Sequence, residues 1–316
     1  MNMLDYIKNA KTIYIVAHIR PDGDAIGSAF ALKLALSNMG KSAHVIMSSY
    51  SKKFEFLEEV KTAVTSVPEE KFDLLICADC SDEKRLDISE EDYAKAKRVI
   101  AFDHHKASAV PADCSIIDDE SPATCEMVYK FFKEHMIEIT PKIADYLYMG
   151  IMTDTGSFNY ERTTAETYEI AADLIKLGAR FATICKNVNE GVPEAKARLI
   201  AYSLDNMQVY YDGRLRIAVA DHETLDRFGV DKEDAEGVTN YLRMIEGTEL
   251  AVYIRGIENG LFKASLRSAN FVDCAELATT FGGGGHVRAA GFNVTNVEQT
   301  IKEIVEKMRE GLEHWK

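Results

Sequence analysis

The chain has 316 residues, more than one typical domain needs and enough for two. Its composition, 47% hydrophobic and 28% charged, is that of a soluble globular protein with real cores. A net charge of −14 argues against wrapping long nucleic acid, which needs a large basic surface, while leaving small anionic ligands open, because bound divalent cations supply positive charge locally.

"TIYIVAH" (12–18) is a β-branched run ending at His18, and "AIGSAFALKLALSNMG" (25–40) follows with an apolar face at helical spacing and a glycine stop. "SAHVIMSS" predicts a second strand, "FDLLICAD" (72–79) a third and "RVIAFDHH" (98–105) a fourth, the last preceded by the helical stretch "EEDYAKAK". Nearly all-apolar strands alternating with helices imply a parallel sheet covered on both faces. Helical patterns continue through "TCEMVYKFFKEHM", "PKIADYLYMGIMTD" and "TAETYEIAADLIKLG". The glycine and proline of "NVNEGVPEAKA" place a linker at 187–197, between a first domain, 1–186, and a second, 198–316.

The second domain reads as α+β. "NMQVYYDGRLRIAVAD" predicts a hairpin turning at Asp212-Gly213, and "ELAVYIRGIENGLFKASLRS" another near Asn259-Gly260. "DKEDAEGVTNYLRMI" between them is helical, "GFNVT" a strand, and "NVEQTIKEIVEKMREGLEHW" a closing amphipathic helix.

No run of eighteen apolar residues occurs, so no membrane span is expected. The N-terminal stretch has no secretory pattern, which makes the cytoplasm the default location. The six cysteines are scattered. "CADC" is formally a C-x-x-C, but it closes an apolar strand instead of opening a helix, so Cys77 reads as core.

The stretch "HIRPDGDAIGS" (18–28) asks what needs a histidine and two aspartates at one bend. Pro21, Asp22 and Gly23 make an ordinary turn with a helix cap; His18 and Asp24 do not follow from that. His18 ends the first strand, Asp79 the third, and Asp103-His104-His105 the fourth, while Asp154 runs into "TGSF". Ligands of open parallel sheets bind beyond the carboxyl ends of the strands. Each residue alone has an ordinary structural explanation, as a cap or a satisfied histidine; jointly they converge on one sheet edge. Oxygen-rich ligands with some imidazole suit Mn²⁺ or Mg²⁺, and several carboxylates can bridge a metal pair about 3.5–4 Å apart.

In the second domain, four glycines at 282–285 let the backbone approach an anion and offer N–H donors. His286 follows directly, and Arg267 lies on a predicted strand where its fork could grip phosphate. His44, His135, His222 and His314 read as structural or surface residues.

"HIRPDGDAIGS", "CADC", "FDHH" and "MTDTGSF", in that order, resemble the four motifs of the DHH phosphoesterase superfamily, and "FGGGGHVRAAGF" (281–292) resembles the signature of its DHHA1 C-terminal domain. Length, two-domain split and motif order are most similar to the bacterial nanoRNase branch. The resemblance implies an α/β DHH domain, a parallel sheet with helices on both faces, and a smaller α+β DHHA1 domain across a cleft. It implies two Mn²⁺ ions, with Mg²⁺ or Co²⁺ as substitutes: His18 and Asp22 on the first, Asp24, His104 and Asp154 on the second, and Asp79 bridging. Asp103 would orient the histidines, and His105 would touch the scissile phosphate. Arg267, Gly283, Gly284, Gly285 and His286 would hold the rest of the substrate.

The implied activity is hydrolysis of short oligoribonucleotides, linear dinucleotides and pAp to mononucleotides, with no long duplex and no membrane as partner. A homodimer is compatible with it. A cyclic-dinucleotide phosphodiesterase and a metal-dependent nucleotide sensor that binds without cutting are the alternatives. A family II inorganic pyrophosphatase shares the first domain but resembles a different C-terminal one. Arg20 departs from the usual pattern and either adds charge at the mouth or points away; "RLD" at 85–87 also departs from it, so Arg85 receives no role; and Arg288, at a position that commonly varies, is a weaker phosphate candidate than Arg267.

Overall fold

A short helix, Met3–Asn9 (α1), capped by Asn2, leads into the apolar run Thr12–Val16 (β1). The computed structural model describes residues 2–106, 108–230, 235–257 and 260–314. After β1 come Gly23–Asn38 (α2), Ser42–Ile46 (β2), Leu74–Ala78 (β3), Glu90–Tyr93 (α3), Val99–Asp103 (β4) and Cys114–Ile117 (β5). The strands form one sheet in the order β2-β1-β3-β4-β5, every neighbouring pair parallel. Ile13 and Ile15 pack into the core on one face and Tyr14 and Val16 into the core on the other, as the two-residue period of a strand demands. The chain leaves β1 for β2 on one side and then crosses to β3 on the other, so the switch point lies between β1 and β3.

Helices Thr124–Glu134 (α4) and Pro141–Asp154 (α5) join α2 in the larger core, followed by Ala165–Lys176 (α6) and Phe181–Asn189 (α7). The other face is covered by irregular chain and by α3, which stops at Tyr93, short of the predicted 90–97. Tertiary pairing overrides helix propensity there, since Ala96 bridges Phe72, and the Lys95 carbonyl accepts from the Phe72 N–H. Strand β5 has no counterpart among the predicted elements.

The chain divides into two units, Met1–Gly191 and Val192–Lys316. Because α7 runs to Asn189 and Glu194–Asp205 (α8) begins directly after Pro193, the non-helical part of the predicted linker is only residues 190–193. In the second unit Gln208–Tyr210 (β6) and Leu215–Ala220 (β7) are antiparallel about the predicted Asp212-Gly213 turn. Helices His222–Phe228 (α9) and Val238–Arg243 (α10) carry the chain across to Leu250–Gly256 (β8), parallel to β7. Phe262–Ser268 (β9) returns antiparallel. Of the predicted hairpin turn Asn259 lies outside the described residues, as do 231–234 of the predicted helix. Cys274–Thr279 (α11), Gly284–His286 (β10), Ala289–Val294 (β11) and Val297–His314 (α12) complete a six-stranded sheet, β10-β11-β9-β8-β7-β6. The His314 side chain is also outside the described residues. Among the described residues no helix is long and apolar enough to cross a membrane.

Candidate functional site

Asp22 caps a helix with one carboxylate oxygen and turns the other toward His18. Its Oδ1 accepts from the N–H groups of Asp24 and Ala25, each at 3.1 Å, and so caps α2. Its Oδ2 lies 3.8 Å from His18 Nε2. Asp24, one residue into the helix, is fully buried. Its two carboxylate oxygens accept from the Thr124 N–H at 2.6 Å and the Cys125 N–H at 2.9 Å. Those donors open α4, whose own N-cap, Ala123, has no side chain to offer.

Asp79 follows β3 with φ +55°, a left-handed conformation that is uncommon outside glycine and turns its buried side chain into the sheet edge. The two oxygens face different groups. Oδ2 is 3.8 Å from His18 Nε2, and Oδ1 is 3.5 Å from His104 Nε2. His104 Nε2 also lies 3.2 Å from Asp154 Oδ2 and 3.9 Å from Asp24 Oδ2. His18 and His104 each turn Nδ1 to a main-chain carbonyl, of Ile19 at 2.9 Å and Ser121 at 3.1 Å. With Nδ1 turned to that carbonyl, Nε2 is the nitrogen that faces the carboxylates, the placement a metal-ligating histidine requires. His105 differs: its Nδ1 lies 2.7 Å from Asp103 Oδ1, which leaves Nε2 as its other nitrogen.

Asp154 ends α5, and glycines bring that helix against α2. A Cβ on Gly150 would meet Cys125 Sγ, and would lie 2.8 Å from Asp24 Oδ1; one on Gly27 would lie 2.6 Å from the Tyr146 carbonyl. Beyond Asp154 the chain reverses through Gly156, Ser157 and Phe158, all with positive φ.

Among the described residues, three sets of donor atoms each fall within 4.8 Å of one another: His18, Asp22 and Asp79; Asp24, His104 and Asp154; and Asp79, His104 and His105. The ion-pair partners of Asp79 are histidines. Burial, then the Asp154 charge, pushes the Asp24 carboxyl up to about 7, and burial, then Asp24, pushes Asp79 well above the carboxylate range. Burial opposes protonation of His104, but its hydrogen bond to Asp154 and the Asp24 and Asp79 charges prevail and raise it to about 10. A cluster that drives carboxylates toward neutrality and its histidine toward a cation is short of positive charge. A divalent ion about 2.1 Å from each donor sets adjacent donors about 3 Å apart and opposite ones about 4 Å, which matches the 3.2–3.9 Å separations of these donors. The residues fit such a cation.

In the second unit a cavity of about 370 Å³ is lined by Arg267, Gly284, Gly285 and His286, together with Asn240, Lys263 and Ser265. Lys263, Ser265 and Arg267 alternate along β9 and so share one side of the sheet. That two-residue period was the available signal for Lys263 and Ser265, which the motif reading passed over. Gly283 is placed differently: a Cβ there would run into the Gly291 carbonyl and Phe292, so its glycine serves the packing of the β10–β11 hairpin. Arg288 donates to the Val272 carbonyl at 3.1 Å, and the Arg85 carbonyl accepts from the Ile19 N–H. His44 stacks on Tyr14 and His135 packs edge-on to Phe131, while His222 lies against Phe262. Cys77 and Cys80 are buried and unbridged; burial holds the Cys80 thiol up near about 11, against a redox role for the pair.

Two domain families account for most of this architecture. The DHH family N-terminal domain matches residues 12–151, and the DHHA1 domain matches residues 215–314. The chain belongs to the DHH family, with a DHHA1 domain in its second unit. It is 31% identical to the bifunctional oligoribonuclease and PAP phosphatase NrnA of Thermus thermophilus, over 95% of this chain and 90% of that one. With the Bacillus subtilis protein of the same name it shares 25% identity over 93% of each chain. A crystal structure of an exopolyphosphatase-related protein from Bacteroides fragilis superposes with a TM-score of 0.90 at 28% identity, covering 98% of this chain and 96% of that one.

Proposed function

We propose that this protein is a metal-dependent phosphoesterase that hydrolyses short oligoribonucleotides and pAp to mononucleotides. The observation that carries the reading is the split of Asp79, one oxygen toward His18 and the other toward His104, each with further carboxylates beside it. His18 and Asp22 would hold one cation, Asp24, His104 and Asp154 a second, and Asp79 both, with Mn²⁺ as the proposed metal. Such a pair, when bound, supplies Lewis-acid polarisation of phosphoryl oxygens and lowers the pKa of water into the neutral range.

The chain's own residues do the rest. Asp103 fixes the ring of His105 through Nδ1, so that the other edge of the ring would touch the scissile phosphate. The cavity bearing Lys263, Arg267 and His286 would grip the part of the substrate away from the scissile bond, using charge-assisted contacts that a bare phosphate ester lacks. The names of the Thermus and Bacillus relatives support the substrate class.

Purified protein with Mn²⁺, assayed on linear dinucleotides, cyclic dinucleotides, pAp and pyrophosphate, tests the reading. Turnover of linear dinucleotides and pAp is expected. Turnover confined to cyclic dinucleotides or to pyrophosphate would overturn it, and binding without turnover would make the protein a sensor.

A further inference from the structure

Among the described residues, one five-residue segment, Ser121–Cys125, touches three of the six proposed metal ligands. The Ser121 carbonyl faces His104 Nδ1 at 3.1 Å. The Thr124 N–H donates to Asp24 Oδ2 at 2.6 Å, and the Cys125 N–H to Asp24 Oδ1 at 2.9 Å. The Thr124 hydroxyl donates to Asp79 Oδ1 at 3.0 Å. Thr124 is fully buried and its hydroxyl reaches across 45 positions of sequence to Asp79.

We propose that Thr124 is the positioning residue of the metal centre, its hydroxyl fixing the plane of the Asp79 carboxylate so that each oxygen keeps to one cation. The inference rests on the proposed metal site and adds to it what holds the bridge in place. The terminal torsion of an aspartate is broad and nearly two-fold, so a buried carboxylate without a donor has no single plane. Bonding Oδ1 to Thr124 leaves that oxygen a second lone pair toward His104 and directs Oδ2 to His18. Because the same residue's N–H holds Asp24, Thr124 links two buried carboxylates of the site, Asp24 and Asp79, in one rigid unit at the start of α4. Partners of this kind, which touch a ligand and not the metal, typically contribute about ten- to hundredfold in metal affinity.

The hydroxyl can be removed without touching the N–H. Thr124→Val keeps the β-branched shape, Thr124→Ala removes bulk as well, and Thr124→Ser keeps the donor. Each full-length variant is freed of metal with chelator, checked for fold by circular dichroism, and titrated calorimetrically with Mn²⁺. The expected result is a ten- to hundredfold loss of Mn²⁺ affinity in Thr124→Val and Thr124→Ala, with Thr124→Ser within about threefold of wild type. A merely structural threonine would lower the melting temperature of the metal-free protein and leave the Mn²⁺ affinity of the folded variants alone. Wild-type affinity in Thr124→Val overturns the inference, as does a Thr124→Ser loss equal to that of Thr124→Val. If Thr124→Val does not fold, Thr124→Ala decides by the same measure. Failure of the wild type itself to bind Mn²⁺ would overturn the metal site, and this inference with it.

Discussion

The two oxygens of Asp22 have separable duties, and replacing Asp22 by asparagine or by alanine tells them apart. Oδ1 caps α2 through two N–H groups, and Oδ2 faces His18. Asparagine caps a helix about as well as aspartate, so Asp22→Asn keeps both bonds and loses only a charge at the helix N-terminus, worth about 0.3–1 kcal/mol. That loss is offset in the metal-free protein, because the Asp22 charge also raises the pKa of Asp24 and of Asp79, and removing it relieves both. The metal-free Asp22→Asn protein is therefore expected within about 0.5 kcal/mol of wild type, whereas Asp22→Ala loses the cap and about 1 kcal/mol. With metal present the order changes. Both variants lack a ligand to the cation beside His18, so both lose the stabilisation that this one Mn²⁺ confers, about 2.7 kcal/mol at a hundredfold excess over Kd in the wild type, and both lose turnover. Urea unfolding with and without Mn²⁺, beside a steady-state assay, reads all of these. Asp22→Asn with wild-type turnover and full Mn²⁺ stabilisation would reduce the residue to a cap and refute the reasoning.

Gly150→Ala places a methyl group against Cys125 and 2.8 Å from Asp24 Oδ1; overpacking of about 1–3 kcal/mol exceeds the gain in helix propensity of up to about 1, so unfolding free energy and turnover should both fall, and an unchanged Mn²⁺ affinity would show that this contact does not place Asp24. Arg267→Ala should slow cleavage of a dinucleotide about ten- to hundredfold, the worth of a lost charge-assisted contact of about 1.5–3 kcal/mol, while sparing a small chromogenic phosphodiester; equal losses on both would assign Arg267 to the fold. The Lys97 side chain and the Lys11 and Thr12 N–H groups hold the Asp73 carboxyl down at about 2. A lowered carboxylate pKa stabilises the fold above the unfolded value of about 3.9, and that contribution disappears as pH falls through the folded value. Acid unfolding of Asp73→Asn should lack the part of the slope between about pH 4 and pH 2 that the wild type shows.

Much of the site was legible because strand ends are legible. β-branched and apolar runs announce β1, β3 and β4, and a parallel sheet carries whatever follows them to one edge, so His18, Asp79 and Asp103 could be brought together without coordinates. What holds them there was not. The bonds from Thr124 and Cys125 to Asp24 span 100 and 101 positions, and no local period connects a helix start to an aspartate in another helix. Gly150 reads as a weak helix residue until the Asp24 carboxylate and Cys125 are seen against it. Within the glycine run, Gly284 and Gly285 line the cavity from a short strand, whereas Gly283 makes room for Phe292. A glycine needed for packing and one needed for a ligand look alike in sequence.

The central claim, hydrolysis of very short RNA, is tested most directly by a length series. A net charge of −14 disfavours the holding of further phosphates, so long RNA is expected to gain no affinity from added nucleotides. Labelled RNAs from dimers to chains of about 24 nucleotides, incubated with the protein and Mn²⁺ at fixed salt, give turnover per molecule as a function of length. The account predicts a maximum at roughly two to five nucleotides and a steep fall beyond, because a net charge of −14 opposes the retention of longer chains. A chain of about 24 nucleotides degraded as fast as a dimer would contradict it.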